Sequence, residues 1–117
     1  MTLRPTVSYE RFDVVKVPFP FTDKAQTKKR PALILSTNAA FNAPAGHSVL
    51  AMITSAKNPA WPLDVGVTDL TAAGLPAPSV VRMKLFTLDH RFVLGKIGRL
   101  DASDEAAVTQ VLKKLCG

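Results

Sequence analysis

A basic segment near the start of the chain carries the side chains best suited to bind a phosphate group. It contains three lysines and an arginine, Lys24, Lys28, Lys29 and Arg30. The planar, permanently charged guanidinium of Arg30 can hold two phosphate oxygens at once, and the following Pro31 biases Arg30 towards an extended backbone. On residue type alone, a surface arginine in a solvated loop is the more common case.

The remaining charges of this region leave two interpretations open. The lysines could follow a nucleic-acid backbone and contribute salt-dependent affinity without sequence information, or they could simply be solvated in a turn. Thr22 and Asp23 lie at the mouth of the same segment, where Asp23 could accept a proton, orient a base or form the turn. Farther along, Arg82 and Lys84 alternate with apolar residues, so they either extend the cationic surface or lie on the solvent-exposed face of a strand.

Other residue types that often perform chemistry are scattered. Thr54 ends an apolar segment, where its hydroxyl could contact a phosphate or a 2′-hydroxyl, although threonine is also a common strand former. His47 and His90 are the natural candidates for acid–base catalysis, but they are far apart in the sequence. Because carboxylates, histidines and cysteines are not clustered at ligand spacing, we expect no metal site and no cofactor.

Four aromatic residues could stack on unpaired bases: Phe19, Phe21, Phe41 and Trp61. Most of them are expected in the core. Trp61 lies in the turn-rich stretch NPAWP, which makes it the best candidate for an exposed ring.

Composition restricts the class of protein. Fifteen lysines and arginines against nine acidic residues give a net charge of +6, which favours a polyanionic partner such as nucleic acid. With 117 residues, 47% of them hydrophobic, we expect one globular domain over residues 1–117. The single cysteine, Cys116, the absence of a signal-peptide pattern and the lack of a membrane-length apolar run all predict a cytoplasmic protein.

Hydrophobic patterning predicts a mainly β protein. Strand-like segments are FDVVKVPFPF, PALILS, HSVLAMITS, LDVGVTD, SVVRMKLFTL and RFVLGKIGRL. LTAAGLPAP is typical of a short helical turn that ends at Gly74. After Asp101 or Ser103, either of which could cap a helix, apolar residues recur at helical spacing up to Leu115. Short strands followed by one amphipathic helix favour a small antiparallel β-barrel with a C-terminal α-helix.

The ordered set FDVVKVPFPFTD, KKRPALILS, VLAMITS, SVVRMKLFTLD and LGKIGRLD resembles the MazF/PemK toxin family over nearly the whole chain. The resemblance implies an SH3-like barrel that assembles as a homodimer, cleaves single-stranded RNA and is blocked by a cognate antitoxin. It also implies that Arg30 of the RP pair and Thr54 of the ITS segment are the catalytic residues. The predicted RNA-binding residues are Thr22, Asp23, Lys24, Lys28, Lys29, Arg82 and Lys84.

The resemblance implies a reaction that needs no metal. RNA carries its own nucleophile, because a 2′-hydroxyl in line with the adjacent phosphorus can attack it and leave a 2′,3′-cyclic phosphate. The protein then has to position the strand, move protons and stabilise charge. Two alternatives remain open, since a fold does not determine a function. The first is a CcdB-type toxin, which shares the barrel but poisons DNA gyrase by binding, and the second is a barrel that only binds RNA or an antitoxin.

Overall fold

One antiparallel sheet dominates the computed structural model, which describes residues 8–19 and 28–117. Within those residues the strands are β1 (Asp13–Phe19), β2 (Lys28–Ile34), β3 (His47–Ser55), β4 (Val65–Gly66), β5 (Ser79–Asp89) and β6 (Gly95–Arg99). Their order across the sheet is β4-β5-β3-β2-β1-β6, and every neighbouring pair is antiparallel. The sheet curls into a half-barrel, which confirms the predicted small antiparallel barrel fold.

A C-terminal helix, α3 (Ala102–Cys116), completes the fold as predicted. Of the two candidate caps, Asp101 is the residue that precedes the helix, and its carboxylate accepts a hydrogen bond from the Asp104 backbone N–H at 2.8 Å. Ser103 lies inside the helix instead. Val108 is fully buried on the face that meets the sheet.

Shorter helical elements occupy the connections between strands. The predicted turn that ends at Gly74 is α2 (Leu70–Ala73). A π-helical turn at Asn38–Asn42 and the short helix α1 (Ala43–Ala45) were not predicted. They depend on a tertiary contact, because the buried Asn42 amide donates to the Tyr9 and Ser36 carbonyl oxygens at 2.7 and 2.9 Å.

Apolar side chains pack on both faces of the sheet. One cluster lies between the sheet and α3 and includes Val14, Leu33, Ile53, Val81 and Val108. A second cluster, on the opposite face, includes Val15, Val17, Ile34, Leu50 and Leu88. Because neighbouring strand residues point to opposite faces, adjacent positions such as Val14 and Val15 are both buried, in different clusters.

Three strand predictions need correction. In RFVLGKIGRL the strand β6 begins only at Gly95, and a 3-10 turn at His90–Phe92 occupies the start of the segment. The segment LDVGVTD forms only the two-residue strand β4. Conversely, β2 begins at Lys28 instead of Pro31, so Lys28, Lys29 and Arg30 belong to a strand and not to a loop. The reason is pairing, since the backbone of these three residues lies opposite Phe19, Pro18 and Val17 of β1. Lys29 consequently points to the opposite face from Lys28 and Arg30.

The close approach of α2 to β6 requires glycine on both sides. A Cβ on Gly74 would lie 1.9 Å from the Ile97 carbonyl oxygen, and one on Gly98 would lie 2.2 Å from the Ala73 carbonyl carbon. The register between β1 and β6 also shifts between Val14 and Val15, opposite Gly98 and Lys96. This irregularity agrees with the bend or bulge predicted at Gly95 and Gly98.

None of the helices in the described part of the chain is long and apolar enough to cross a membrane.

Candidate active site

Three adjacent strands bring the main predicted site residues to one place. In the sheet, Ala32 of β2 lies opposite Met52 of β3, and Met52 lies opposite Arg82 of β5. Continuing the β2–β3 register by two residues brings Arg30 alongside Thr54. Residues from distant parts of the sequence thus meet on the face of the sheet that carries the second apolar cluster.

These residues line a cavity of about 250 Å³. Its lining residues are Phe19, Arg30, Met52, Ile53, Thr54, Asn58, Arg82 and Lys84. Four of the eight, Arg30, Thr54, Arg82 and Lys84, are residues that the sequence predicted for the site. The polar groups that the described residues supply to the cavity are three cations, one hydroxyl and one amide, which suit an anionic ligand.

Arg30 is partly buried, and its guanidinium is incompletely paired. The Nε atom is buried and has no hydrogen-bond partner among the residues that the structure describes. A buried donor without an acceptor costs about 1–3 kcal/mol, so an acceptor atom that enters the cavity recovers that free energy. Phosphate oxygens match the fork of N–H groups that a guanidinium presents.

Thr54 is held by a neighbouring amide. Its Oγ1 accepts a hydrogen bond from Asn58 Nδ2 at 2.6 Å. A hydroxyl has one proton to donate and two lone pairs to accept with. Because Asn58 occupies a lone pair, the Thr54 hydroxyl remains able to donate its proton to an oxygen of a ligand.

Arg82 is bound to protein groups despite lining the cavity. Its Nε and Nη2 donate to the two carboxylate oxygens of Asp64 at 3.1 and 3.0 Å, and Nη2 also donates to the Pro59 carbonyl oxygen at 2.8 Å. The hydrogen bond from Arg82 lowers the pKa of Asp64, and the same contact raises the pKa of Arg82. Arg82 therefore anchors the segment after β3, whereas Lys84 presents its ammonium group nearby.

Two lysines of β2 that the sequence predicted for the site do not line this cavity. Lys28 and Lys29 are exposed on β2 and are not among the cavity-lining residues. The predicted residues Thr22, Asp23 and Lys24 lie outside the described residues.

The two histidines also lie away from the cavity lining. His90 Nε2 is 2.7 Å from the hydroxyl oxygen of the buried Ser48, and His47 Nδ1 is 2.9 Å from the Ala45 carbonyl oxygen. In the described part of the chain, no group of three or more histidine, cysteine, aspartate or glutamate side chains is arranged to hold a metal ion.

Sequence reasoning missed Asn58 and Asp64. Both lie in the turn-rich stretch after β3, where polar residues are common and carry little information. Asn58 contacts Thr54, four residues earlier, across the turn after β3. Asp64 contacts Arg82 on β5, and the register that places β5 beside β3 brings Arg82 to this turn.

Comparison with known proteins gives a family match over most of the chain. A family model described as the PemK-like, MazF-like toxin of type II toxin–antitoxin systems matches residues 10–116. The comparison with curated protein sequences found no match.

Solved structures with the same fold are numerous. A MazE–MazF complex from Deinococcus radiodurans matches with a TM-score of 0.72 and 24% identity, over 95% of this chain and 97% of that chain. An endoribonuclease in complex with its cognate antitoxin, from a mycobacterial species, matches with a TM-score of 0.70 and 18% identity, over 92% of this chain and 91% of that chain. The Mycobacterium tuberculosis toxin MazF-mt6 matches with a TM-score of 0.68 and 25% identity, over 87% of this chain and 93% of that chain.

Proposed function

The chain belongs to the family of PemK-like, MazF-like toxins of type II toxin–antitoxin systems, and from this premise we propose its function. We propose that the protein is an endoribonuclease that cuts single-stranded RNA by transesterification at phosphorus. The observation that carries this proposal is that Arg30 and Thr54 line the same cavity. The buried Nε of Arg30 lacks a partner among the described residues and can therefore bind a phosphate oxygen there.

The reaction uses the nucleophile that RNA supplies. The 2′-hydroxyl gives up its proton as its oxygen forms a bond to the adjacent phosphorus, the bond from phosphorus to the 5′-oxygen of the next nucleotide breaks, and that oxygen takes up a proton, so that no net proton is gained or lost. The products are a 2′,3′-cyclic phosphate on the upstream fragment and a 5′-hydroxyl on the downstream fragment. No redox step or external reactant is involved.

Arg30 and Thr54 have separate roles in this reaction. Negative charge grows on the phosphoryl oxygens as the phosphorus becomes five-coordinate, and the Arg30 guanidinium stabilises that charge from a fixed position. The Thr54 hydroxyl, oriented by Asn58, donates to a phosphate oxygen or to the attacking nucleotide. Because the cation is part of the protein, cleavage requires no metal ion.

The proposed partners follow from the family. Similar structures include toxin–antitoxin complexes, so we propose that this chain binds a cognate antitoxin that competes with RNA for the cationic cavity. We also propose a homodimer, which would cover exposed apolar side chains such as Phe92 and Leu94.

Mapping of cut ends tests the proposal. The purified chain is incubated with a long RNA of defined sequence in excess EDTA, and the termini of the fragments are identified. Cleavage should persist in EDTA, leave 2′,3′-cyclic phosphates and stop when the nucleotide 5′ to the cut is 2′-deoxy or 2′-O-methyl. Loss of cleavage in EDTA, or fragments that end in 5′-phosphate, would contradict the mechanism, and intact RNA would favour a binding-only barrel or a gyrase poison.

A further inference from the structure

Trp61 is a large aromatic side chain held at the surface beside the cavity. The residue is 40% exposed, although tryptophan has one of the largest apolar surfaces to bury. The Lys84 ammonium lies 4.2 Å from the ring centroid, and the Arg82 guanidinium carbon lies 5.6 Å from it. Both cations also line the cavity that contains Arg30 and Thr54, so the ring adjoins the phosphate site.

The backbone around Trp61 is fixed on both sides. The Trp61 N–H donates to Asp64 Oδ2 at 2.9 Å, and the Asp64 N–H donates to the Trp61 carbonyl oxygen at 3.2 Å. Arg82 joins this turn to β5 by binding Asp64, and it also binds the Pro59 carbonyl oxygen two residues before Trp61. The ring is therefore held in position before any ligand binds, which reduces the entropy lost on binding.

A partly exposed aromatic side chain with two cations over its ring has the groups of a single-strand binding site. Proteins bind unpaired nucleic acid by combining cations that follow the backbone with aromatic rings on which bases stack. Every base has a π-face, so such a ring favours unpaired strands without requiring one sequence. A peptide partner would find the same apolar ring, but two cations beside the ring and a net charge of +6 favour the polyanion.

We propose that Trp61 is the platform on which one unpaired base of the RNA stacks, next to the nucleotide whose phosphate enters the cavity. This inference rests on the proposed function, because it assumes that RNA is the substrate. Asp64 and Arg82 are positioning residues in this arrangement, since they hold the ring without touching the base. Stacking on Trp61 would restrict cleavage to single strands.

The chain supplies its own probe, because Trp61 is its only tryptophan. A 2′-O-methyl RNA oligonucleotide, which binds without being cut, is titrated into the whole protein while tryptophan emission is recorded. Binding is measured in parallel from the fluorescence anisotropy of the same oligonucleotide with an end label. We expect emission to be quenched with the same midpoint as the anisotropy change, and we expect one abasic position in the oligonucleotide to remove the quenching.

Variants separate stacking from fold effects. Trp61→Ala should weaken oligonucleotide binding about tenfold or more, which is the range for loss of one stacked base, and Trp61→Phe should restore most of the affinity. Leu115→Ala, at an apolar residue of α3 that is 42% exposed and lies outside the cavity lining, is the matched control and should bind as the parent does. Circular dichroism checks that each variant is folded.

The outcomes distinguish this inference from the proposed function. Full binding by anisotropy with unchanged emission, or a Trp61→Ala variant that binds RNA as the parent does, would overturn the stacking role and leave the ribonuclease proposal standing. Unchanged RNA affinity together with lost binding of an antitoxin peptide would make the ring a protein contact and would likewise overturn the inference. Absence of binding in both readouts would contradict both proposals.

Discussion

Two arginines at the same cavity differ in the partners that their guanidinium groups have. Arg82 is held by the Asp64 carboxylate and the Pro59 carbonyl oxygen, and its side chain is only 12% exposed. The buried Nε of Arg30 has no such partner in the described part of the chain. An arginine with spare donors in a cavity binds an anion more readily than one already paired, so residue type and position in the sheet are not enough to assign a role.

Lysine charges near the cavity should contribute affinity and not catalysis. Lys28 is exposed on β2, so Lys28→Ala should weaken RNA binding and reduce the slope of log affinity against log salt by about one phosphate contact. The cleavage rate at saturating RNA should stay close to that of the parent. Binding is measured by anisotropy at several salt concentrations.

Lys113→Ala, on the exposed side of helix α3, is the matched control because it removes the same charge from a helix that packs against the opposite face of the sheet from Arg30. Equal salt slopes for the Lys28 variant and the parent would rule out a phosphate contact at Lys28.

At the scale of elements, the segment between β3 and β4 depends on one carboxylate. Asp64 binds both Arg82 and the Trp61 N–H. The pKa of Asp64 is lowered in the folded protein, chiefly by the hydrogen bond from Arg82. This contact therefore stabilises the segment at pH values above the ordinary aspartate pKa of about 4. The stabilisation is lost as the pH falls through the lowered value.

Tryptophan emission should therefore stay constant from neutral pH down past about 4 and change only in stronger acid. Asp64→Asn removes the titrating group, so its emission should already differ at neutral pH and should show no separate acid transition. If the variant showed an acid transition in emission with the same midpoint pH as the parent, a group other than Asp64 would be responsible for the pH dependence of the segment.

Helix α3 is fixed to the segment between β4 and α2 by a buried carboxylate near its start. Asp104, 2% exposed, accepts hydrogen bonds from the Thr68 N–H, the Thr68 hydroxyl and the Asp69 N–H. Asp104→Ala leaves these donors without an acceptor and should lower the free energy of unfolding by roughly 2–4 kcal/mol. Ser103→Ala, one residue earlier and exposed, should change it little, and urea unfolding of the two variants makes the comparison.

Strong local patterns were enough to predict most elements. HSVLAMITS forms β3 over its full length, and the helix begins after Asp101, because apolar periodicity and a capping carboxylate act within a few residues. The start of β2 was wrong, because pairing with β1 extends the strand into a charged segment. The helical segment at 38–45 was missed, because the buried Asn42 amide depends on Tyr9, which lies far away in the sequence.

The candidate site was predicted only in part, because some of its contacts are formed between residues that are distant in the sequence. Arg30 and Thr54 were found through the family resemblance, and the sheet register now brings them into one cavity. Their catalytic roles remain a proposal. Asp64 could not be found from local sequence, because its importance lies in its contact with Arg82 on β5. Asn58 was missed because an asparagine in a turn is common, and its contact with Thr54 four residues earlier leaves no sequence signal.

At the scale of the whole molecule, exposed apolar side chains support self-association. Phe92 and Leu94 are each more than half exposed, and Leu85 is also exposed. Burial of such surface favours a closed pair of chains. We expect light scattering at micromolar concentration to give twice the chain mass, and a mass of 12.6 kDa under those conditions would show that the chain is a monomer.

The central claim is that the fold presents Arg30 to the scissile phosphate of RNA. The most direct measurement is the single-turnover cleavage rate of a defined RNA, in excess EDTA, for the parent and for Arg30→Ala. Removal of a fixed transition-state donor should lower the rate at least about a hundredfold, while circular dichroism shows an unchanged fold. RNA affinity should fall as well, because a phosphate contact is lost, so the rate is compared at saturating protein. Thr54→Ala should lose less. An Arg30→Ala protein that cuts as fast as the parent, with the same 2′,3′-cyclic ends, would contradict the account.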